Sequence, residues 1–363
     1  MTNPFDDDTA TVSDDQFRDD FNLSGEKRER PIPPGFKVWD GGLITEPGAY
    51  IGVPMDMYHG KECCAGPSIS STGLKKLSGD KGPRIKGRTP RHFWNESSLN
   101  PNRKKIDTVA LRMGRAFHDA LLQPDLMPDL YHFTPKGFSR ASTVKQAMAI
   151  AETDAAIKAG LCIMGHEEMQ RINAMVDAAR ADPLFAALLG KGEPEVTMAW
   201  QDKETGVWVR ARPDFMLANR RFALNVKKAA DASYDGFSRA IGKFGYAQSA
   251  ALEMDGYAAV FGDAPSAFLH PVIEEPAKGQ WEEGDYIATA VWELPAEDIE
   301  RGRWLNRMAL RTFADCLAAD KWDGYTPDPE PCGLPGYLRK LIDEGGQAEA
   351  ANDAPTGNKW MEN

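Results

Sequence analysis

An α/β fold with a mixed central sheet flanked by helices is what this sequence predicts, on three observations. Short apolar or alternating runs, V-W-V-R-A-R (Val207 to Arg212) and R-F-A-L-N-V (Arg221 to Val226), read as strands. Stretches with apolar residues at helical spacing flank them on both sides, over 105–123 and 295–320. The 363 residues are 42% apolar, enough for a sizeable core in one large domain or two smaller ones.

The chain opens with seven aspartates in its first twenty residues and little apolar periodicity, so residues 1–45 are expected to be a disordered acidic tail. Such a tail is either a solvated leader or an arm that binds a partner or mimics DNA. A single domain is expected over 46–340, and residues 341–363 read as a second unstructured tail. Ile69 to Leu77 starts with capping residues and runs into a helix turn. Between Lys75 and Lys105 stand ten Lys or Arg and only two acids, Asp80 and Glu96. Lys75, Lys76, Arg84, Lys86, Arg88 and Arg91 are therefore candidates for tracking phosphates, the alternative being a solvated basic loop. Phe93 and Trp94 are better placed in the core than on a base.

The helix expected over 105–123 carries Val109, Ala110, Met113, Phe117, Ala120 and Leu121 at helical spacing, with His118 beside them. Residues 142–189 read as further helices; His166, Glu167 and Glu168 stand at a helix start, where the dipole favours acids and capping explains them. Glu195 heads the strand E-V-T-M-A-W. A turn at Leu217 to Arg220 is expected to join the two alternating runs. Side chains two apart share a strand face, so Asn225 and Lys227 point one way with Val226 behind, and Asp214 meets them from the preceding strand. A carboxylate, a second oxygen ligand and a substrate phosphate can together hold Mg2+, while the lysine positions a water or stabilises the pentavalent state. Ala247 to Phe261 reads as a helix packed across the sheet, Ser266 to Ile273 and Tyr286 to Leu294 as strands of a sheet-edge meander, and Pro295 to Asp320 as a long amphipathic helix.

Several classes are excluded. No apolar run reaches the length of a membrane span, and the N-terminus lacks a signal-peptide pattern, so a cytoplasmic protein with no membrane contact is expected. Cys63, Cys64, Cys162, Cys316 and Cys332 form no C-x-x-C pair, which argues against a zinc site or disulfide framework. A net charge of −11 argues against a generally basic nucleic-acid coat and leaves only local basic surfaces. No phosphate-binding G-x-x-x-x-G-K-S/T is present.

Read in order, the motifs are I-S-S-T-G-L-K (Ile69 to Lys75), T-P-R-H-F-W (Thr89 to Trp94) and G-R-A-F-H-D-A-L-L-Q-P (Gly114 to Pro124). Glu195 follows, then W-Q-D-K-E-T-G (Trp200 to Gly206), R-P-D (Arg212 to Asp214) and N-V-K (Asn225 to Lys227). After these come D-A-S (Asp231 to Ser233), G-Y (Gly245, Tyr246), D-G (Asp255, Gly256), and W-D-G-Y with L-P-G-Y between Trp322 and Tyr337. This series resembles the exonuclease VIII (RecE-like) branch of the PD-(D/E)-x-K nuclease superfamily, over roughly Ile69 to Tyr337.

The resemblance implies a restriction-endonuclease-like core and an exodeoxyribonuclease using Mg2+ or Mn2+. Asp214 would hold the metal with Asn225, His118 and Glu195, and Lys227 would serve the attacking water. It further implies 5′ to 3′ resection of double-stranded DNA ends, a homo-oligomer, a single-strand annealing partner, and a phage or prophage protein working in the bacterial cytoplasm. The pattern also departs from the family. Asn225 stands where the family has an acid, Lys228 where it has Thr, Ser249 where it has Gln with Gln248 one place early, and Glu253 where it has Tyr. The second reading is therefore a pseudonuclease that binds DNA or a protein partner without cutting, with Lys228 standing in for a lost ion or touching DNA. A third, an Asp→Asn exchange made to trap a complex, is disfavoured by the other departures.

Overall fold

A computed structural model describes residues 32–352 apart from 79–88, 104–106, 142–145, 191, 278, 280, 281, 283 and 326–332. The chain forms one compact unit up to Asp323 and a second from Gly324.

In the first unit, β1 (Phe36–Val38) and β2 (Gly48–Ile51) precede the short helix α1 (Met55–Tyr58) and β3 (Ser68–Ile69). Helices α2 (Ser71–Leu77), α3 (Pro90–Glu96), α4 (Val109–Leu122) and α5 (Met127–Leu130) follow. Next come β4 (Tyr131–Phe133), α6 (Ala147–Ala159), β5 (Cys162–Met164), α7 (His166–Ala181) and α8 (Pro183–Leu188). The central run is β6 (Gly192–Pro194), β7 (Thr197–Gln201), β8 (Trp208–Ala211), β9 (Phe215–Leu217), β10 (Phe222–Leu224) and β11 (Lys227–Ala229). Helices α9 (Tyr234–Phe244) and α10 (Tyr246–Phe261), strands β12 (Ala267–Glu274) and β13 (Thr289–Leu294), and helix α11 (Ala296–Ala319) complete it.

The strands form two principal sheets, β1-β2-β7-β8-β3 and β11-β12-β10-β9-β6, with β13 paired to β12 and a separate β4-β5 pair. Parallel and antiparallel pairings coexist in both. Alternation along the second sheet decides what each face covers. Met216, Ala223 and Phe268 join the core under α10 and α11, whereas Phe215, Leu217 and Leu224 pack with α4 and α7. Helix α4 is capped by Thr108, whose Oγ1 accepts from the Leu111 amide, and buries Met113, Ala116, Phe117, Ala120 and Leu121 as one stripe. The opposite face of the sheet takes α10. Its N-terminus is crossed so closely by α11 that a Cβ on Gly302 would stand 2.2 Å from the Ala247 carbonyl oxygen. Only glycine allows that approach.

Four expectations are corrected. The runs 207–212 and 221–226 do not share one turn; they belong to different sheets. Pro213 has no amide to continue a ladder, and after it the chain restarts as β9, which is the strand that pairs with β10. The strands over 266–273 and 286–294 are not both at an edge, because β12 pairs with β10, β11 and β13 and sits inside the sheet. Phe36–Val38, placed in the acidic tail, pairs in parallel with β2. In the second unit, the expected C-terminal tail carries most of a helix, α12 (Gly336–Asn352), whose Q-A-E-A-A sequence favours helix. Ile44, also placed in the acidic tail, is buried and bridges to Cys64, while residues 1–31 and 353–363 lie outside the described residues. No helix among the described residues is long and apolar enough to cross a membrane.

Candidate metal centre

Asp214 is the hub of the centre, held where β8 gives way to β9. Its amide N–H donates to Asn225 Oδ1 at 3.3 Å, its carbonyl accepts from Glu195 N–H at 3.1 Å, and its Oδ2 accepts from Lys227 Nζ at 3.1 Å. Its Oδ1 lies 3.6 Å from His118 Nδ1. Glu195 precedes β7 in the left-handed backbone region, at φ 54. Side chains with a Cβ adopt that region at a cost, and here the bond to the Asp214 carbonyl accompanies it. His118, Glu195 and Asp214 each offer a ligand atom, and these atoms lie within 4.8 Å of one another.

The electrostatics suit a divalent cation. Burial, reinforced by Asp214, pushes the Glu195 carboxyl up to about 8. Burial holds the His118 imidazole below its usual range, leaving a neutral ring with a lone pair to offer. Burial alone would lower the Lys227 ammonium, but Asp214, Tyr246 and Glu253 together outweigh it and raise the pKa. Two carboxylates are hard oxygen donors suited to a divalent ion such as Mg2+ or Mn2+, and the imidazole adds a borderline nitrogen donor that Mn2+ accepts more readily than Mg2+. Arg212 braces the outer side: it donates to Thr197 Oγ1 and, at 2.6 Å, to the Val53 carbonyl, lies over the Tyr58 ring, and comes within 3.9 Å of Glu195. A cleft of about 1230 Å³ opens beside the centre, with His59, Arg103, Arg115, His118, Glu195 and Arg212 in its walls.

Asn225 and Lys227 both face the α9–α10 side, while Val226 is buried in the core against α4. Asn225 was expected among the ligands, and its amide is instead engaged by the protein at both ends. Oδ1 accepts from Asp214, and Nδ2 donates to Glu253 Oε1 at 2.7 Å. The buried Glu253 keeps Oε2 without a hydrogen-bond partner, and burial, with Asp214 adding to it, holds its pKa well above the carboxylate range. Gln248 turns away from the centre and exchanges hydrogen bonds with Asn306 of α11. Ser249 accepts from Lys75 Nζ at 3.1 Å.

The expected phosphate-tracking residues divide. Lys75 is not on a surface: burial first, and Lys227 second, draw its ammonium down to about 8. Lys76 is paired with Glu96 at 2.5 Å. Lys228 points to the other face from Lys227, lies against Gly114 of α4 and pairs with Glu275, so its charge is engaged inside the protein. Local carboxylates meet Lys76 and Lys228, which composition alone does not reveal. Arg91 is exposed, and Arg84, Lys86 and Arg88 lie outside the described residues. At His166, the capping reading agrees with a Gly165 N–H bond to Glu168 Oε2 at 2.7 Å. The residues that motif reading left without a role at the centre are Arg212, Glu253 and Tyr246. An acid inside the apolar run A-A-L-E-M, at a place where the resembling family has Tyr, was the signal available for Glu253.

Glu195 makes the fold's stability pH-dependent. Its folded pKa, about 8, lies above the usual 4.5, so its contribution is complete below about pH 4.5 and is lost as pH rises through 8. In EDTA, Tm is expected to fall by roughly 5 °C or more between pH 6 and pH 8.5, and Glu195→Gln should flatten that fall. Mn2+ should raise Tm more at pH 8.5 than at pH 6, because the ion takes the proton's place. A Glu195→Gln protein whose thermal profile matches the native one at both pH values would disprove this assignment.

A family model described as "PDDEXK-like domain of unknown function (DUF3799)" matches residues 70–333. Among solved structures, a candidate exonuclease from Eubacterium rectale aligns over 76% of this chain and 92% of its own, at 12% identity and TM-score 0.49. A phage-related exonuclease from Haemophilus somnus 129PT aligns over 70% of this chain and 96% of its own, at 12% identity and TM-score 0.27. No curated protein matches by sequence.

Proposed function

The chain belongs to the PDDEXK-like DUF3799 family, and from that premise we propose a metal-dependent nuclease that hydrolyses phosphodiester bonds in DNA. The observation that carries the reading is the convergence of His118, Glu195 and Asp214, with the Lys227 ammonium 3.1 Å from Asp214. They come from helix α4 and from the ends of separate strands, and they bring an imidazole, two carboxylates and an ammonium to one point. A bound divalent ion would lower the pKa of a water and offset charge on the scissile phosphate. Asp214 and Glu195 supply anionic oxygen, neutral His118 supplies nitrogen, and Lys227 faces the position where negative charge develops on phosphorus. Arg212 keeps Glu195 oriented.

The finer reading follows the motif resemblance: an exonuclease VIII-like enzyme on linear duplex ends with Mg2+ or Mn2+, homo-oligomeric and working with an annealing protein. A second reading, the pseudonuclease, is favoured by one specific observation. Asn225 supplies no charge and is held by Glu253 and Asp214, which leaves the centre with one carboxylate fewer than the motif requires.

Linear duplex DNA incubated with the full chain in Mg2+, Mn2+ or EDTA decides between them, with calorimetric Mn2+ titration alongside. The nuclease reading expects ion-dependent shortening that Asp214→Ala abolishes together with ion binding. Ion binding lost in Asp214→Ala but no cleavage by the native chain supports the pseudonuclease. No ion binding by the native chain defeats the metal centre itself.

A further inference from the structure

We infer that the end of α9 and the first turn of α10 form a stacking platform for an unpaired nucleotide of the strand whose phosphate lies at Lys227. The inference rests on the nuclease reading and names the part of the substrate this surface meets. Phe244, the last residue of α9, is 49% exposed, an unusual place for a phenylalanine beside a centre of buried charges. Its ring stacks on Tyr246 with centroids 5.6 Å apart and planes at 28°. Tyr246 in turn lies 5.7 Å from the Lys227 ammonium and 5.5 Å from His270. A row of rings thus runs from the protein surface to the catalytic lysine in two steps, a span that one or two nucleotides of an extended strand cover.

The surroundings suit a nucleotide rather than an apolar peptide. The Lys243 ammonium stands 5.1 Å from the Phe244 ring centroid. On helix α9, Arg239 is paired with Asp231 at 3.6 Å, which leaves Lys243 as the cation beside the ring. A Cβ on Gly242, in the same turn, would meet nothing within 4 Å, so the solvent side of the turn is open. One flat exposed ring flanked by a cation matches base stacking with a phosphate alongside. Gly245, at φ 65, makes the bend that brings Phe244 and Tyr246 into register. A base inside a duplex has both faces covered by its neighbours. The platform therefore selects unpaired nucleotides, at a frayed end or a single-stranded extension.

The test uses the full chain in EDTA, where cleavage does not interfere, and a single-stranded oligothymidylate carrying one 2-aminopurine. Phe244→Ala and Phe244→Leu are each expected to weaken its binding roughly 10-fold and to abolish the change in aminopurine emission. Phe244→Trp should stay within about 2-fold of native, and blunt duplex binding should change less than about 2-fold in all three. Unaltered single-strand affinity in Phe244→Ala, an equal loss toward blunt duplex, or no binding by the native chain would each overturn the platform. A chain that binds the oligonucleotide as expected but cleaves nothing would count against the nuclease reading alone.

Discussion

Asn225→Asp by itself is expected to destabilise the protein instead of restoring a motif. The new carboxylate would face Glu253 Oε1, 2.7 Å from the present amide nitrogen, inside a buried pocket where Glu253 already lacks a partner on Oε2. A donor is lost and a second buried acid is gained, which costs about 3–5 kcal/mol when both are pressed to ionise. Tm at pH 8 should drop by roughly 10 °C, and part of the loss should return near pH 5.5, where the two acids can share a proton. Asn225→Asp with Glu253→Gln exchanges the two groups and keeps the hydrogen bond, so it should recover most of the stability. With an acid restored beside Asp214, the double variant should also bind Mn2+ at least about 10-fold more tightly than native and cleave DNA faster. Thermal melts of the four proteins at both pH values, with calorimetric Mn2+ titrations, read this directly. A native-like Tm for Asn225→Asp alone, or no rescue by Glu253→Gln, would show that the two residues do not act as a pair.

Lys227→Ala separates chemistry from metal binding. The ammonium donates to Asp214 Oδ2 and to the Val226 carbonyl, so it competes with a cation for the same carboxylate. Without it, Mn2+ affinity is expected to hold or to tighten, because a like charge has been removed from the site. Cleavage, in the native chain or in Asn225→Asp/Glu253→Gln, should fall by about a thousandfold or more as the transition-state charge loses its partner. Lys227→Met, which keeps the apolar stem packed near Tyr246, should behave alike and guards against a merely structural loss. Calorimetry and a cleavage time course give the two readouts. Loss of ion binding in both variants, as expected for Asp214→Ala, would make Lys227 a structural counter-ion only.

How much of this was legible beforehand varies with the residue. His118 could be picked out only through the motif resemblance of the segment around it, since a histidine beside an apolar stripe is by itself no ligand signal, and Asp214 with Lys227 because strand alternation and spacing put them within reach of each other. Lys75 read as a surface charge because a count of cations contains no partners, and Lys228 as a stand-in for an ion or a DNA contact because it follows the motif lysine. Each is engaged by a group far along the chain, Ser249 and Glu275 respectively. Asn225 read as a ligand because alternation predicts which face a side chain takes but not what it meets there.

The sequence by itself determined the α/β class, the helices that bury the sheet and the order of the acid, amide and lysine, since these follow from local periodicity and from motif spacing. Only the tertiary structure decided that β8 and β9 serve different sheets and that Glu253 from α10 takes the amide of Asn225. It likewise decided that Phe244 and Tyr246 line up beside Lys227. Those outcomes depend on where distant segments cross, and buried polar groups choose their partners by three-dimensional distance, which no local pattern encodes.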